Sequence, residues 1–437
     1  MGHFFESMKT EQLYEIFRKA GGVSTDTRTI KKGDLFFALW GGNTNGNIYA
    51  SEALKKGAIC AVIDDPMYET EGTILVDDCL FELQALAAHH RKELKIPVLA
   101  ITGSNGKTTT KELIVSIMSL GRKVHYTKGN LNNHIGVPLT ILSAPEDAEL
   151  MIIEMGANHV GEIRTLCLIA KPDFGIITNI GTAHIEGFGS FEGVIKAKTE
   201  LYEHLRKVNG VAIYNDRNPL LAEKIYRIVN RAVPYSDPTG TELKAEVVSS
   251  DLLLETQIEY QHRKHNLKTH LFGRHNIENI KAAAAASLFL GASIDDVVKG
   301  IENYIPANNR SEVRKTASNI VVCDSYNANP ESMKRALEAF LEKDDENTLL
   351  ILGDMLELGP KSSEEHLNIL RLINSKGIKR VLLAGPVFKS LAGDFGYQGF
   401  ENVGELTAFL SKNPVKGSRV LVKGSRGIML EKVYDLL

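Results

Sequence analysis

The sequence predicts an α/β protein of three domains, the middle one built on a mainly parallel sheet. Three observations carry that expectation. A chain of 437 residues exceeds one comfortable hydrophobic core. Short β-rich apolar runs alternate with helical stretches along most of its length, the pattern of strands covered by helices. The alternation also breaks and restarts, at Pro97 and again after IPANNR at 305–310, which sets expected domains of 1–94, 95–305 and 306–437.

In the first region DLFFALW, CAVID and TILVDD read as short strands, with helical stretches such as EQLYEIFRKAG among them. It closes on the helix-like LFELQALAAHHRKELK, and Pro97 opens a new strand. In the second region PVLAIT, the run ending LMIIE, FGIITNI and GVAIYN are the strands. Residues 244–272 instead resemble antiparallel strands around a polar turn, QHRKHN. Its His262, Arg263, Lys264 and His265 read better as a solvated hairpin tip than as an anion or metal site. In the third region NIVVCD, TLLILGD, RVLLAG and RVLVKG are strands, each followed by a helix, as in dinucleotide-type folds. Pro330 suits the first turn of the helix after NIVVCD, following the turn chemistry of Asn327 and Asn329.

Composition excludes several function classes. With 43% hydrophobic and 24% charged residues the chain has the balance of an ordinary soluble protein. A net charge of −3 gives no electrostatic reason to expect nucleic acid or an anionic membrane as partner. Cys60, Cys79, Cys167 and Cys323 are far apart and form no metal-ligand pairs, which fits a reducing compartment. No apolar run approaches the ~20 residues that span a bilayer. MGHFFESMKTEQ lacks the basic and apolar regions of a signal peptide. A cytoplasmic protein without membrane insertion is expected.

Candidate chemistry concentrates at 100–110, AITGSNGKTTT. The phosphate-loop pattern G-x-x-x-x-G-K-[ST] wants a glycine where Ile101 stands, and Gly103 comes too late. The context is otherwise right, after the strand PVLAIT and before the helix KTTTKELIVSIMSL. Backbone N–H groups at such a helix start converge on an anion, and glycines let the backbone approach it. Lys107 would neutralise β/γ-phosphate charge, and Thr108 would offer its hydroxyl to Mg²⁺. A plain strand-to-helix turn is the bland alternative, and the irregular spacing leaves it open.

Three further residues point to the same place. Glu154 ends the strand in DAELMIIEMG, where a parallel sheet presents its carboxyl ends to ligands. It suits a metal ligand, or else a helix cap or surface acid. His184 follows another strand in the glycine-rich FGIITNIGTAHIEGFGS; alone it reads as structural. In SFEGVIKAKTELYEHL, Lys198 falls on the apolar stripe of a helix while Lys196 lies off it. A lysine there ordinarily snorkels. Held in the site instead, its pKa falls and the neutral amine can take up CO₂ as a carbamate, an oxygen ligand for Mg²⁺. Thr108, Glu154, His184 and a carbamylated Lys198 would make a mostly oxygen shell for a hard cation.

Together these segments resemble the Mur ligase family, ATP-dependent amide-forming enzymes of peptidoglycan synthesis. The family's loop is itself the shortened T-G-x-N-G-K-[ST], matched by Thr102 to Thr108. The resemblance also runs through TKGNLNNHIGVPLTIL, EMGANHVGEI, NIGTAHIEGFGS, DSYNANPESM, LGDMLELG and VLVKGSRG, over nearly the whole chain. It implies a UDP-binding domain, an ATP-binding domain and a Rossmann-like C-terminal domain. GNLNNHIGVP and DSYNANP are similar to the branch that joins D-alanyl-D-alanine to UDP-N-acetylmuramoyl-tripeptide. Another Mur ligase, a folylpolyglutamate-type synthetase or a phosphate-loop nucleotidase that ligates nothing are the rivals.

The resemblance also implies roles. Gly103, Ser104, Asn105, Gly106, Lys107, Thr108 and Thr109 would bind ATP phosphates, with Lys107, His184 and Lys198 catalytic. Thr108, Glu154, His184 and carbamylated Lys198 would hold Mg²⁺. His275, Asn276 and Asn279 match residues facing adenine, Arg310 a phosphate-contacting arginine, and Asp324 the ribose-binding acid. Asn132 and Asn133 match the cleft for the UDP-sugar–peptide, and Asn327 and Asn329 lie near the incoming dipeptide. Thr27 and Arg28, in TDTR, stand where the UDP substrate is held. There the pattern departs: TDTR replaces D-S-R, and NGNIYA carries Asn45 and Asn47 where the family has Asp and His. A monomer is expected, with the C-terminal domain closing over ATP.

Overall fold

The computed structural model describes residues 8–42, 44–181, 185–343 and 346–437. Its first sheet is parallel and four-stranded, in the order Val23–Ser24, Leu35–Phe37, Cys60–Ile63 and Thr73–Leu75. The helix Cys79–Leu94 packs on it and is capped by Asp78, whose carboxylate accepts the Phe81 N–H at 2.9 Å. The substituted NGNIYA segment has a structural use. Asn47 is fully buried, and its side chain donates to Asp64 (2.7 Å) and Asn45 (2.8 Å) and accepts the Asp64 N–H (3.0 Å). Burial pushes the Asp64 carboxyl up, but bonds from the Cys79 N–H, Asn47 and Trp40 bring it below its ordinary value.

The middle sheet holds six parallel strands, in the order Ala232–Pro234, Val211–Tyr214, Phe174–Ile177, Val98–Thr102, Leu150–Glu154 and Val124–Tyr126. Helices cover both faces, so the inner strands are buried, apart from Phe174 at the start of one, and read as apolar runs. Val124–Tyr126 and Ala232–Pro234 are half-buried edge strands with no such run, which is why the sequence pattern passes over them. Strands Leu243–Ser249, Glu255–Tyr260 and Arg263–Lys268 form an antiparallel sheet beside it. Its turn is narrower than the polar run suggests. Only Gln261 and His262 form the tip, both left-handed (φ 52° and 61°), and Arg263, Lys264 and His265 lie in the strand.

The third sheet runs Glu312–Lys315, Ile320–Asp324, Arg419–Lys423, Thr348–Gly353, Val381–Ala384 and Gln398–Phe400. Only its first pair is antiparallel. Both end strands again lack an apolar run. Asp324 and Lys423 stand in register at the carboxyl ends of neighbouring strands. The helix Pro330–Phe340 has its proline in the first turn and a capping box between Asn329 and Ser332. In the connection before this sheet, Asn308, Asn309 and Ser311 all have positive φ (59°, 58° and 53°), a region asparagine tolerates better than most residues. Among the described residues no helix is long and apolar enough to cross a membrane.

Burial keeps three imidazoles neutral. His90, His204 and His275 are each pushed from the ordinary 6.5 down to about 4, chiefly by desolvation. The unfolded chain therefore binds protons between these values that the folded chain refuses. Stability should be full above pH 6.5 and fall as the pH drops towards 4, by at most roughly 3 kcal/mol per histidine. Urea midpoints from pH 8 to 4.5 check this: a His90→Gln, His204→Gln variant should give a flatter profile, and an unchanged slope would refute the assignment.

Candidate functional site

The phosphate-loop segment explains its own irregularity. Ile101 is fully buried inside the strand Val98–Thr102, paired with Ile176 on one side and Glu154 on the other. The loop proper begins at Gly103 and ends at Gly106, with φ of 142° and 80°. Gly103 faces Thr178, and a Cβ there would collide with its hydroxyl. Gly106 faces Asn279, and a Cβ there would collide with the side-chain oxygen. Gly106→Ala should therefore cost about 1–3 kcal/mol from the left-handed backbone alone. Thermal unfolding and nucleotide titration check the loss together; a fully stable variant binding nucleotide normally would contradict it.

The loop is laced to the residues just past the end of the strand Phe174–Ile177. The Ser104 N–H donates to Asn179 O (3.0 Å), the Asn105 N–H to the Asn179 side chain (2.9 Å), and the Thr178 hydroxyl to Asn105 O (2.6 Å). Lys107 begins the helix Lys107–Met118, with its ammonium donating to Gly103 O (2.7 Å) and Ser104 O (3.2 Å). Burial lowers its pKa to about 8, Glu154 opposes the fall, and the Arg310 charge adds to it. The N-terminus of this helix, a half-buried ammonium and a rigid loop together make an anion site.

Glu154 is neither a surface acid nor a helix cap. It is 1% exposed, and its carboxylate accepts the Thr108 hydroxyl (2.8 Å) and the Asn132 amide (2.8 Å), with the buried Lys111 ammonium at 3.9 Å. Nor does Lys198 snorkel. It is 2% exposed on the helix Phe191–Val208, with its Nζ 3.4 Å from Ala157 O and 5.2 Å from the centre of the Phe188 ring. Burial, aided by the Lys107 charge, pushes its pKa down to about 7 against the opposing Glu162 and Glu200. Glu200, also buried, fastens this helix by accepting the Gly161 (2.7 Å) and Arg164 (2.9 Å) N–H groups at the start of the helix Glu162–Ala170. His184 lies outside the described residues. Among the described residues no three His, Cys, Asp or Glu cluster as a metal cage. Mg²⁺ needs none, since it takes one or two protein oxygens with phosphate and water. The Thr108–Glu154 pair is such a donor set.

A cavity of about 670 Å³ joins this region to the third sheet. Ser104 to Thr109 line it, as do Asn132, Asn133, Glu154, His275, Asn276 and Asn279, whereas Gly103 and Lys198 are not part of its lining. From the C-terminal side come Arg310, Asp324, Asn327 and Asn329. Asn279 donates to Asn276 (2.8 Å) and accepts from Thr110 (3.3 Å), so it ties the helix Ile277–Phe289 to the loop helix. Asp324 accepts the Ser311 N–H (3.0 Å) and the Lys423 ammonium (2.6 Å). Asn329 is turned toward the loop: it caps its own helix through Ser332 and donates to Asn105 at 2.8 Å, while Asn105 donates to Glu331 at 3.0 Å. Asn133 accepts the Gly136 N–H (2.8 Å) at the start of the helix Gly136–Leu142.

Thr27 and Arg28 stand apart from this cavity. Thr27 is buried and its carbonyl accepts Lys56, while the Arg28 side chain is 86% exposed and clasped by Asp26. The cavity also holds residues to which the sequence patterns assign no role. Tyr326 stacks on the Arg310 guanidinium at 3.5 Å, Lys423 grips Asp324, and Arg335 pairs with Glu331. Leu356 and Arg426 complete its far side. Each lies in or beside one of the segments DSYNANPESM, LGDMLELG and VLVKGSRG, but only the fold shows which of their side chains turn inward.

Comparison with known proteins accounts for this arrangement. Residues 101–287 match the Mur ligase middle domain, and residues 309–426 the Mur ligase, glutamate ligase domain. The UDP-N-acetylmuramoyl-tripeptide–D-alanyl-D-alanine ligase of Bacillus subtilis (strain 168) is 35% identical over 434 residues, covering 95% of this chain and 93% of its own. Among solved structures, MurF from Acinetobacter baumannii superposes with a TM-score of 0.85 at 29% identity, covering 98% of this chain and 97% of that one. MurF from Thermotoga maritima, solved with ADP, gives 0.82 at 26% identity and covers 96% and 97%. A shortened phosphate loop facing a second α/β unit across one cavity, and relatedness along almost the full length, have one reading: the chain belongs to the Mur ligase family.

Proposed function

We propose that this chain joins the terminal carboxylate of a UDP-N-acetylmuramoyl-tripeptide to the amine of D-alanyl-D-alanine, converting ATP to ADP and phosphate in the cytoplasm. Full-length relatedness to ligases of that name carries the reading, and the cavity gives it room. A carboxylate is a poor electrophile, so it first attacks the γ-phosphorus of ATP, giving an acyl phosphate and ADP. The dipeptide amine then attacks the acyl carbon, and the tetrahedral intermediate expels phosphate. Lys107 and the helix N-terminus neutralise phosphate charge, Arg310 adds a second cation held flat by Tyr326, and Asp324 offers carboxylate oxygens to the ribose. His275, Asn276 and Asn279 wall the adenine side, and Asn132 fixes the Glu154 carboxylate. Thr27 and Arg28 fall to the UDP end of the substrate, Asn327 to the dipeptide end.

When bound, Mg²⁺ neutralises charge on the phosphates; Thr108, Glu154 and a carbamate on Lys198 would hold it, and His184 is the fourth ligand that the family resemblance implies. Lys198 suits carbamylation because its depressed pKa leaves free amine near neutrality; amine and CO₂ give a carbamate and a released proton. The test is phosphate release. It should require ATP, UDP-tripeptide and D-alanyl-D-alanine together. Release that ignores both acceptor and dipeptide would point instead to a nucleotidase, and release with another amino acid to a different branch.

A further inference from the structure

The cavity is lined by more cations than the nucleotide needs, and they differ in their partners. Lys423 is committed to Asp324 and Arg335 to Glu331, while the Lys107 ammonium lies on the loop carbonyls. Among the described residues no carboxylate pairs with Arg310 or Arg426. Both guanidinium groups lie over the same ring, Tyr326, at 3.5 Å and 5.4 Å from its centre. Arg310 lines the cavity together with Lys107 and is the one assigned above to the phosphates. Arg426 comes from elsewhere. It opens the short 3₁₀ turn Arg426–Ile428 after the strand Arg419–Lys423 and is exposed to the cavity.

The surroundings of Arg426 are small and partly apolar. Leu356 is 44% exposed although it lines a cavity, an unusual place for a leucine unless something covers it. Gly427 lies against it, and a Cβ there would come 2.8 Å from the leucine methyl. Ser425 locks the two segments together: its hydroxyl accepts the Leu356 N–H (2.9 Å) and donates to Ala328 O (3.2 Å). A guanidinium without a carboxylate partner, beside a small apolar ledge, suits a carboxylate whose neighbouring carbon carries nothing larger than a methyl group.

We propose that Arg426 binds the free C-terminal carboxylate of the incoming dipeptide and that Leu356 and Gly427 receive its terminal methyl. This rests on the ligase reading above. The Tyr326 ring then neighbours both guanidiniums, one for phosphate and one for carboxylate.

The experiment compares D-alanyl-D-alanine with D-alanyl-D-alaninamide in wild type, Arg426→Gln and Arg426→Lys, with ATP and UDP-tripeptide saturating. In the wild type the amide should show the higher KM. Arg426→Gln should raise the KM for the dipeptide roughly ten- to hundredfold and leave that for the amide and for ATP nearly unchanged. Arg426→Lys should fall between, because it keeps the charge and loses the fork. Equal wild-type KM values for dipeptide and amide, or a Gln variant that weakens ATP instead, would overturn the assignment while leaving the ligase intact. A wild-type enzyme that turns over neither compound would overturn both.

Discussion

Lys198→Ala is expected to lower ligase turnover by roughly 10²–10³-fold at saturating substrates. The side chain is buried on the helix Phe191–Val208, its amine is largely stripped of water, and no carboxylate bonds to it. A lysine buried in this way, with one long bond to a carbonyl, costs stability whatever its role. The alanine variant removes the amine proposed to carry the carbamate, and it also leaves a cavity that the unfolding midpoint will register. A short-chain carboxylic acid separates the two effects, since it fits the vacated space and restores the oxygen without restoring the chain. Partial rescue of turnover is the expected result; near-normal activity without rescue would remove the carbamate from the mechanism.

Lys107→Ala should be as severe, about 10³-fold in turnover, with ATP-dependent phosphate release essentially lost. Its ammonium is the only cation on the loop itself, and its bonds to Gly103 and Ser104 carbonyls also hold the loop closed. The KM for ATP and the turnover should therefore both change. Lys107→Arg should recover little, because the larger planar head does not fit between those two carbonyls. A variant with unaltered phosphate release would mean that the phosphates sit elsewhere.

The buried strands were legible because both their faces are covered. PVLAIT, LMIIE, NIVVCD and RVLVKG could only be continuous apolar runs, and they are the strands that carry the phosphate loop, Glu154, Asp324 and Lys423. Edge strands such as Glu312–Lys315 have one wet face and left no comparable mark. The loop residues and Lys198 stood out because each broke a local rule: a lysine on an apolar stripe, or a glycine in the wrong place. Tyr326 and Arg426 broke none. A tyrosine and an arginine in polar loops are unremarkable until two strands ~100 residues apart in sequence bring them over each other. The polar run at 262–265 misled for the opposite reason, since charged residues on an exposed strand face look like a turn.

The hydrogen bonds that join Asn105 to Asn329 and Glu331 have a thermodynamic consequence. One end of each belongs to the loop proposed to bind the phosphates, and the other to the helix whose start is proposed to lie beside the dipeptide. Two sites sharing bonds in this way are energetically coupled, and coupling is reciprocal. Whatever factor a bound nucleotide lends to the grip on the dipeptide, the dipeptide must return to the nucleotide. A weak second substrate can in this way raise the hold on the first.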